Sequence, residues 1–249
     1  MMAISVLILV KNEEKNIKEC IESCTFADEV VVIDDGSTDK TEEIALSLGA
    51  RVIHRSMNGD WGGQQTFAIQ QAKSEWIFFI DADERCTPEL CEEIKKVVAE
   101  GKKYGFWVKR INHFKHKMVK HGPLSPDWVC RLMPTEGSYV EGFVHPLIVH
   151  QFEDKKLQKT MIHYTYETWE QYLRKMNQYS TLGAEKNVQR GKKANFFLDV
   201  VLRPIFAFFK MYILKLGILD GKLGFILSVS YANYTMNKYI KHMLIDEEK

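Results

Sequence analysis

No uninterrupted apolar run in the C-terminal part reaches the roughly 20 residues that a bilayer-spanning helix needs. There is no excess charge of one sign: the formal net charge is +1, which removes any global attraction to nucleic acid. The five cysteines (Cys20, Cys24, Cys86, Cys91 and Cys130) are odd in number and show no CxxC…CxxC spacing. That argues against a disulfide framework and a zinc module, and for a reducing, cytoplasmic compartment. Internal repeats and low-complexity linkers are missing. The apolar start Ile4–Val10 lacks a basic lead and a small-residue cleavage site, and Lys11, Glu13 and Glu14 soon follow, so it reads as a strand and not as a signal peptide.

The chain does have enough apolar residues for a full core. Of its 249 residues 45% are hydrophobic and 12% aromatic, which excludes a disordered chain. Ile4–Val10, Glu29–Ile33, Arg51–His54 and Trp76–Ile80 read as buried strands. Between them Ile17–Cys24 and Phe67–Ala72 read as helices, and Asp39 with Glu42 suggests a capping pair for a helix through Leu48. Thr87 followed by Pro88 marks the start of a helix reaching about Glu100. This alternation predicts an α/β fold with a doubly wound, mostly parallel sheet. After Gly105 the pattern changes. Phe106–Ile111, Trp128–Met133 and Val144–Val149 read as strands without long helices between them. Thr168 and Gln171 form a capping box for a helix to about Arg190, which opens a C-terminal helical extension. The expected division is 1–105 for the α/β half, 106–165 for further strands and loops of the same domain, and 166–249 for the helical region.

Two strands run straight into acidic clusters. VVVIDDGSTD supplies Asp34 and Asp35, and IFFIDADE supplies Asp81 and Asp83. In an open parallel sheet ligands bind beyond the carboxyl ends of the strands, so both clusters should face one crevice. Asp81-Ala82-Asp83 has a spacing that brings two carboxylates to one hard cation, Mn²⁺ or Mg²⁺, of the kind that bridges phosphates. Aspartate at a strand end is also an ordinary turn residue, but two such clusters at equivalent ends favour a site.

With ISVLILVKNEEKNI, VVIDDGSTD and FFIDADE in this order, the sequence resembles glycosyltransferase family 2. These are inverting enzymes that use nucleotide sugars on a GT-A-like fold. The resemblance implies that Val10, Asn12 and Glu13 border the nucleoside. It implies that Asp35 reads the base, usually uracil, that Asp81 lies near the ribose, and that Asp83 is the metal ligand at the diphosphate. PDWVCRLMP, FVHP, HYTYETWEQYLRKMNQYSTLGAE and ILDGKLGF resemble a bacterial subfamily that glucosylates the inner core of lipopolysaccharide. The implied reaction moves a hexose, glucose, from a UDP-sugar to a lipopolysaccharide-core or other glycolipid acceptor. Relatives read Val-His-Glu where this chain has Val144-His145-Pro146, so their glutamate base is missing. Asp127, Glu141 and His145 are the candidates for taking the acceptor's proton. Arg131 could hold a phosphate bidentately or form a surface ion pair.

Trp61, Gly62, Gly63 and Gln64 stand where a donor-binding loop or a plain turn before a helix would lie. His113, His116 and His121 match no common ligand spacing and read as exposed loop histidines. His145 and His163 read as acceptor contacts or ordinary strand residues. Cys20 and Cys24, one helical turn apart, read as packing. The loop Lys11-Asn12-Glu13-Glu14 lacks the Gly-rich, Arg-containing character of a sugar-nucleotide nucleotidyltransferase. The Asp81–Asp83 pair fits a phosphoacceptor signalling domain poorly. An inactive nucleotide-sugar-binding membrane protein is a further alternative. From Lys186 onward 11 Lys and Arg face 5 Asp and Glu within aromatic sequence. That suits interfacial helices on the inner face of the cytoplasmic membrane, or a layer packed in a homodimer.

Overall fold

Strand β1 (Ile4–Val10) sorts its side chains by the two-residue period of an extended chain. Ile4, Val6, Ile8 and Val10 enter one core, and Leu7 and Leu9 the other. A strand covered on both faces needs apolar residues on both, which explains the run; its one polar member, Ser5, donates to Glu29 at 2.5 Å. The computed structural model describes residues 3–142 and 147–247. In chain order its elements are α1 (Ile17–Ser23), β2 (Glu29–Asp34), α2 (Thr41–Ser47), β3 (Arg51–His54), α3 (Trp61–Gln71), β4 (Trp76–Phe79), β5 (Glu84–Cys86) and α4 (Pro88–Ala99). There follow β6 (Gly105–Phe114), β7 (Lys117–Val119), β8 (Asp127–Pro134), β9 (Ser138–Glu141), β10 (Leu147–His150), β11 (Asp154–Tyr166) and α5 (Trp169–Gln189). Then come α6 (Arg203–Phe209), flanked by π-helical Phe196–Leu202 and Lys210–Leu214, and α7 (Gly221–Glu247).

The chain divides into two compact units, Met1–Arg110 with Trp128–His163, and Ile111–Asp127 with Tyr164–Lys249. In the first, the strand order is β3-β2-β1-β4-β8-β6-β11-β5. The pairs among β3, β2, β1 and β4 are parallel, whereas β4–β8 and β11–β5 are antiparallel. The expected α/β fold of GT-A type is therefore present, with β3, β2, β1 and β4 forming a parallel part and antiparallel strands joining it at β4–β8. Helices α1 and α4 cover one face through Ile17, Cys20, Leu90 and Ile94, and α3 covers the other through Ala68 and Ile69. Because β1, β2 and β4 are parallel, with Val10 opposite Asp34 and Leu7 opposite Phe79, their following loops all emerge at one sheet edge.

Three local expectations change. Helix α2 starts after Lys40 without a side-chain cap. Asp39 accepts from the Thr41 amide at 3.0 Å, and Glu42 pairs with His54 at 2.9 Å. Helix α3 begins at Trp61, six residues before Phe67, because Asp60 caps the Gly63 amide at 2.8 Å. Thus Trp61-Gly62-Gly63-Gln64 is a helical turn, neither loop nor plain turn. Gly62 is required there, since a Cβ would lie 2.2 Å from the Gly142 carbonyl oxygen. Among the histidines, His113 lies on β6 against Tyr164, and His121 Nδ1 meets Asp220 at 2.9 Å. The Thr87 cap with Pro88 and the Thr168–Gln171 capping box form as read. Cys20 and Cys24 are buried in packing.

The second unit is built around Phe114, Val119, Tyr166, Tyr172 and Leu227. Helix α7 packs along α5, and Lys241 donates to Asn177, Ser180 and Thr181 on α5. No helix among the described residues is long and apolar enough to cross a membrane.

Candidate functional site

At the edge where β1 and β2 end lies a cleft of about 220 Å³. It is lined by Leu9, Val10, Lys11, Glu13, Ile33, Asp35, Met57, Trp61 and Gln64. Five residues singled out from the sequence, Val10, Glu13, Asp35, Trp61 and Gln64, thus share one cavity. Asp35 accepts from the Met57 amide at 2.7 Å and from Lys11 Nζ at 3.1 Å. The Met57 amide first, and then Lys11 against residual burial, holds its carboxyl below the usual range. Its neighbour Asp34 is consumed structurally: both carboxylate oxygens meet the Ser37 amide at 3.1 Å, and His54 Nδ1 lies at 3.2 Å. Asn12 adopts φ +58°, a conformation asparagine tolerates. Its Oδ1 accepts from the Thr38 amide at 2.8 Å, and its own amide donates to Ser37 at 2.9 Å. The Glu13 amide donates to Thr41 at 2.7 Å. Gln64 is clasped by Arg55, accepting from its guanidinium at 2.6 Å and donating to its carbonyl at 2.7 Å.

The second acidic cluster is built around a buried ion network. Arg131 on β8 donates to Asp81 at 2.5 Å and to Glu84 at 2.6 Å, and Arg110 on β6 donates to Glu84 at 3.0 Å. Glu84 is fully buried, and burial pushes its carboxyl up against the opposing pull of Arg131. Asp81 has half of its side chain exposed but is crowded by protein. That crowding raises its pKa, and Arg131, then Arg110 and His163, reverse the shift, so that it lies below the ordinary carboxylate value. For Arg131, desolvation is outweighed by Asp81 and Glu84, and its pKa rises. The surface-pair reading of Arg131 is therefore corrected: the residue is 6% exposed and its guanidinium is held by two carboxylates. Its Nε, also buried, has no hydrogen-bond partner.

Asp83 is arranged differently. Its side chain is 31% exposed, and Oδ2 lies 3.5 Å from His163 Nε2. A carboxylate oxygen and an imidazole nitrogen at that separation can share one divalent ion, and this donor pair suits Mn²⁺. The residues present fit the expected ion, and Asp83 with His163 are the side chains that would hold it. Among the three base candidates, Asp127 at the start of β8 accepts from buried Asn112 at 3.0 Å. Glu141 at the end of β9 accepts from the Tyr139 hydroxyl at 3.1 Å. His145 lies outside the described residues. Lys11, Glu84 and Arg110 were not singled out from the sequence, and His163 was read mainly as a strand residue. Glu84 directly follows the Asp81–Asp83 pair, which was a usable signal. Arg110 and His163 are brought there only by the long-range order β8-β6-β11-β5.

An open α/β sheet whose parallel strands end in carboxylates at one edge, with a cleft beside Asp35, has the ligand-binding edge of doubly wound proteins. The sequence matches glycosyl transferase family 2 over residues 5–178. The chain belongs to that family and is a glycosyltransferase. An uncharacterized glycosyltransferase of Rickettsia bellii is 31% identical over 92% of this chain and 82% of its own. The lipopolysaccharide core biosynthesis glycosyltransferase LpsC of Rhizobium meliloti is 27% identical, over 94% of this chain and 89% of that protein. The crystal structure of TarS from S. aureus is similar with a TM-score of 0.49 and 17% identity, covering 100% of this chain and 92% of that one.

Proposed function

We propose that the chain transfers a hexose, glucose, from UDP-glucose to a lipopolysaccharide-core or related glycolipid acceptor, with inversion at the anomeric carbon. The observation that carries this reading is the cleft bordered by Val10, Glu13 and Asp35 at the sheet edge where β4 also delivers Asp81 and Asp83. The named role of LpsC in lipopolysaccharide core biosynthesis supports the acceptor class. In this reading 1–105 binds the donor, 106–165 presents the acceptor, and 166–249 addresses the membrane. Asp35, held ionised by the Met57 amide and Lys11, accepts from the imide N–H of uracil. Asp81, fixed by Arg131, accepts from the ribose. Asp83 and His163 hold Mn²⁺ or Mg²⁺, which neutralises charge developing on the departing diphosphate. A carboxylate takes the acceptor hydroxyl proton during attack, worth roughly 10²–10⁴ in rate. Asp127 ranks first for that role, ahead of Glu141 and His145. The test is release of UDP from a panel of sugar nucleotides with a deacylated core oligosaccharide. UDP-glucose should be used fastest, with the β-anomer detected by NMR when the donor is α. Equal turnover of GDP- and UDP-sugars would remove the assignment of Asp35.

The same reading places the enzyme peripherally on the inner face of the cytoplasmic membrane. Within 196–226, Phe196, Phe197, Phe206, Phe209, Leu214 and Leu219 are exposed, and so are Lys210, Lys215 and Lys222. Aromatic and basic residues together suit an anionic lipid surface. The chain should float with anionic vesicles at low salt and be released as salt rises, because the attraction is screened over about 10 Å at 0.1 M. A Phe206→Ser/Phe209→Ser variant should float at least about tenfold less. Absence of flotation, together with a concentration-dependent dimer in sedimentation, would assign the surface to a homodimer.

A further inference from the structure

We propose that Cys130, His150 and Asp154 form a second binding site, separate from the acidic strand ends, for one divalent ion of the zinc class. Among the described residues these three make the one cluster of potential ligand atoms that all lie within 4.8 Å of one another. Cys130 Sγ lies 3.8 Å from His150 Nε2, and His150 Nε2 lies 3.2 Å from Asp154 Oδ1. Zinc bonds of about 2.3 Å to sulfur and 2.0–2.1 Å to nitrogen or oxygen, at a tetrahedral angle, require separations of about 3.6 and 3.3 Å. The observed distances fall within about 0.2 Å of both.

The tautomer of His150 supports the same conclusion. Its Nδ1 lies 3.1 Å from the Phe152 carbonyl oxygen, which can only accept, so Nδ1 carries hydrogen and donates. Nε2 is then the ring atom turned towards the thiol and the carboxylate. A cation set among all three atoms resolves that crowding, and a carbonyl partner on the far nitrogen is the usual way of aiming a ligating histidine. A thiolate and a carboxylate would neutralise a dication in this half-buried place. The ring also has prepared space: at Gly105 any Cβ would come 2.1 Å from His150 Nε2. Cys130 packs against the core that holds Leu7, Phe79 and Met133, and its companions come from the end of β10 and the start of β11, not from the segment after β4 that carries Asp83.

The three ligands come from β8, the end of β10 and the start of β11. An ion there would fasten the β9–β10 hairpin to the main sheet. That hairpin includes Glu141. Ion binding would release one proton from the thiol and leave a fourth position for water.

The test is cobalt titration of the full chain after removal of metals with a chelator. Co²⁺ should give a thiolate-to-cobalt charge-transfer band saturating at one equivalent, and Zn²⁺ should displace it. The band should be absent in Cys130→Ser, weakened at least about tenfold in Asp154→Asn, and intact in Asp83→Asn. Asp154 is exposed, so its variant reports on ligation without endangering the fold. No band in the parent protein would overturn the proposal, as would a band that survives Cys130→Ser and therefore arises from another cysteine. Unchanged affinity in Asp154→Asn would equally overturn it.

Discussion

Turnover of Asp83→Asn should fall by roughly 10²–10³-fold at saturating donor, the size expected when a charge-stabilising group is lost from the reacting centre. The substitution keeps shape and removes one charge. Asp83 is partly exposed, and among the described contacts its ion-pair partner is His163 at 3.5 Å, so the fold does not rest on it. The unfolding midpoint should stay within a few degrees of the parent. UDP affinity measured by calorimetry should depend on Mn²⁺ in the parent and lose that dependence in Asp83→Asn. His163→Gln should behave more mildly, with about 10–100-fold weaker metal dependence that higher Mn²⁺ restores. Normal turnover in Asp83→Asn, or parent UDP affinity that is the same in chelator as in Mn²⁺, would remove Asp83 from the metal role.

What was legible in the sequence was what local pattern determines. The apolar runs of β1, β2 and β4 show no alternation because both faces are covered. The carboxylates that follow β2 and β4 emerge at one sheet edge because parallel strands share an end, although Asp35 and not Asp81 or Asp83 lines the cleft there. The Thr168–Gln171 box needs only four consecutive residues. By contrast, the Gly62-Gly63 pair looks like a turn, and only Asp60 and the nearby Gly142 backbone explain why it begins α3. Strand β5 has three residues, too few for any period, and its existence depends on β11. The partners of Asp81 and Asp83 come from strands about 30, 50 and 80 residues away, so Arg110, Arg131 and His163 could not be assigned to them by spacing. Cys130, His150 and Asp154 show the same limit: their separations match no compact ligand motif. The π-helical stretches around α6 likewise left no readable mark in an aromatic-rich segment.

Arg131→Met should be the most destabilising single substitution in the site, by about 3–5 kcal/mol, because it strands a buried carboxylate. Glu84 has no exposed surface, and Arg131 meets it at 2.6 Å while also holding Asp81 at 2.5 Å. After the substitution Glu84 keeps Arg110 at 3.0 Å and the Asp81 backbone amide at 2.9 Å, which sets the loss towards the lower end of that range. For a chain of this length the loss corresponds to a midpoint lower by about 6–12 °C. Lysine should not rescue it, since one ammonium cannot reproduce a fork donating to two carboxylates. Arg110→Met should cost less, because Arg131 still neutralises Glu84. The dependence on pH follows from Glu84. Its folded pKa is already raised by burial, and losing Arg131 raises it further. A carboxyl that holds its proton more tightly when folded loses stability as pH rises from its unfolded value of about 4.3 to its folded one. The deficit of Arg131→Met relative to the parent should therefore be largest near neutral pH and shrink towards pH 4. Removing the stranded charge should act the same way: Glu84→Gln in the Arg131→Met background should recover at least about half of the loss, whereas Glu84→Gln alone should destabilise. A double-mutant cycle in urea measures this coupling. Additive effects, with a deficit independent of pH, would mean that Glu84 is neutral in the native protein and that Arg131 is held there by Asp81 alone.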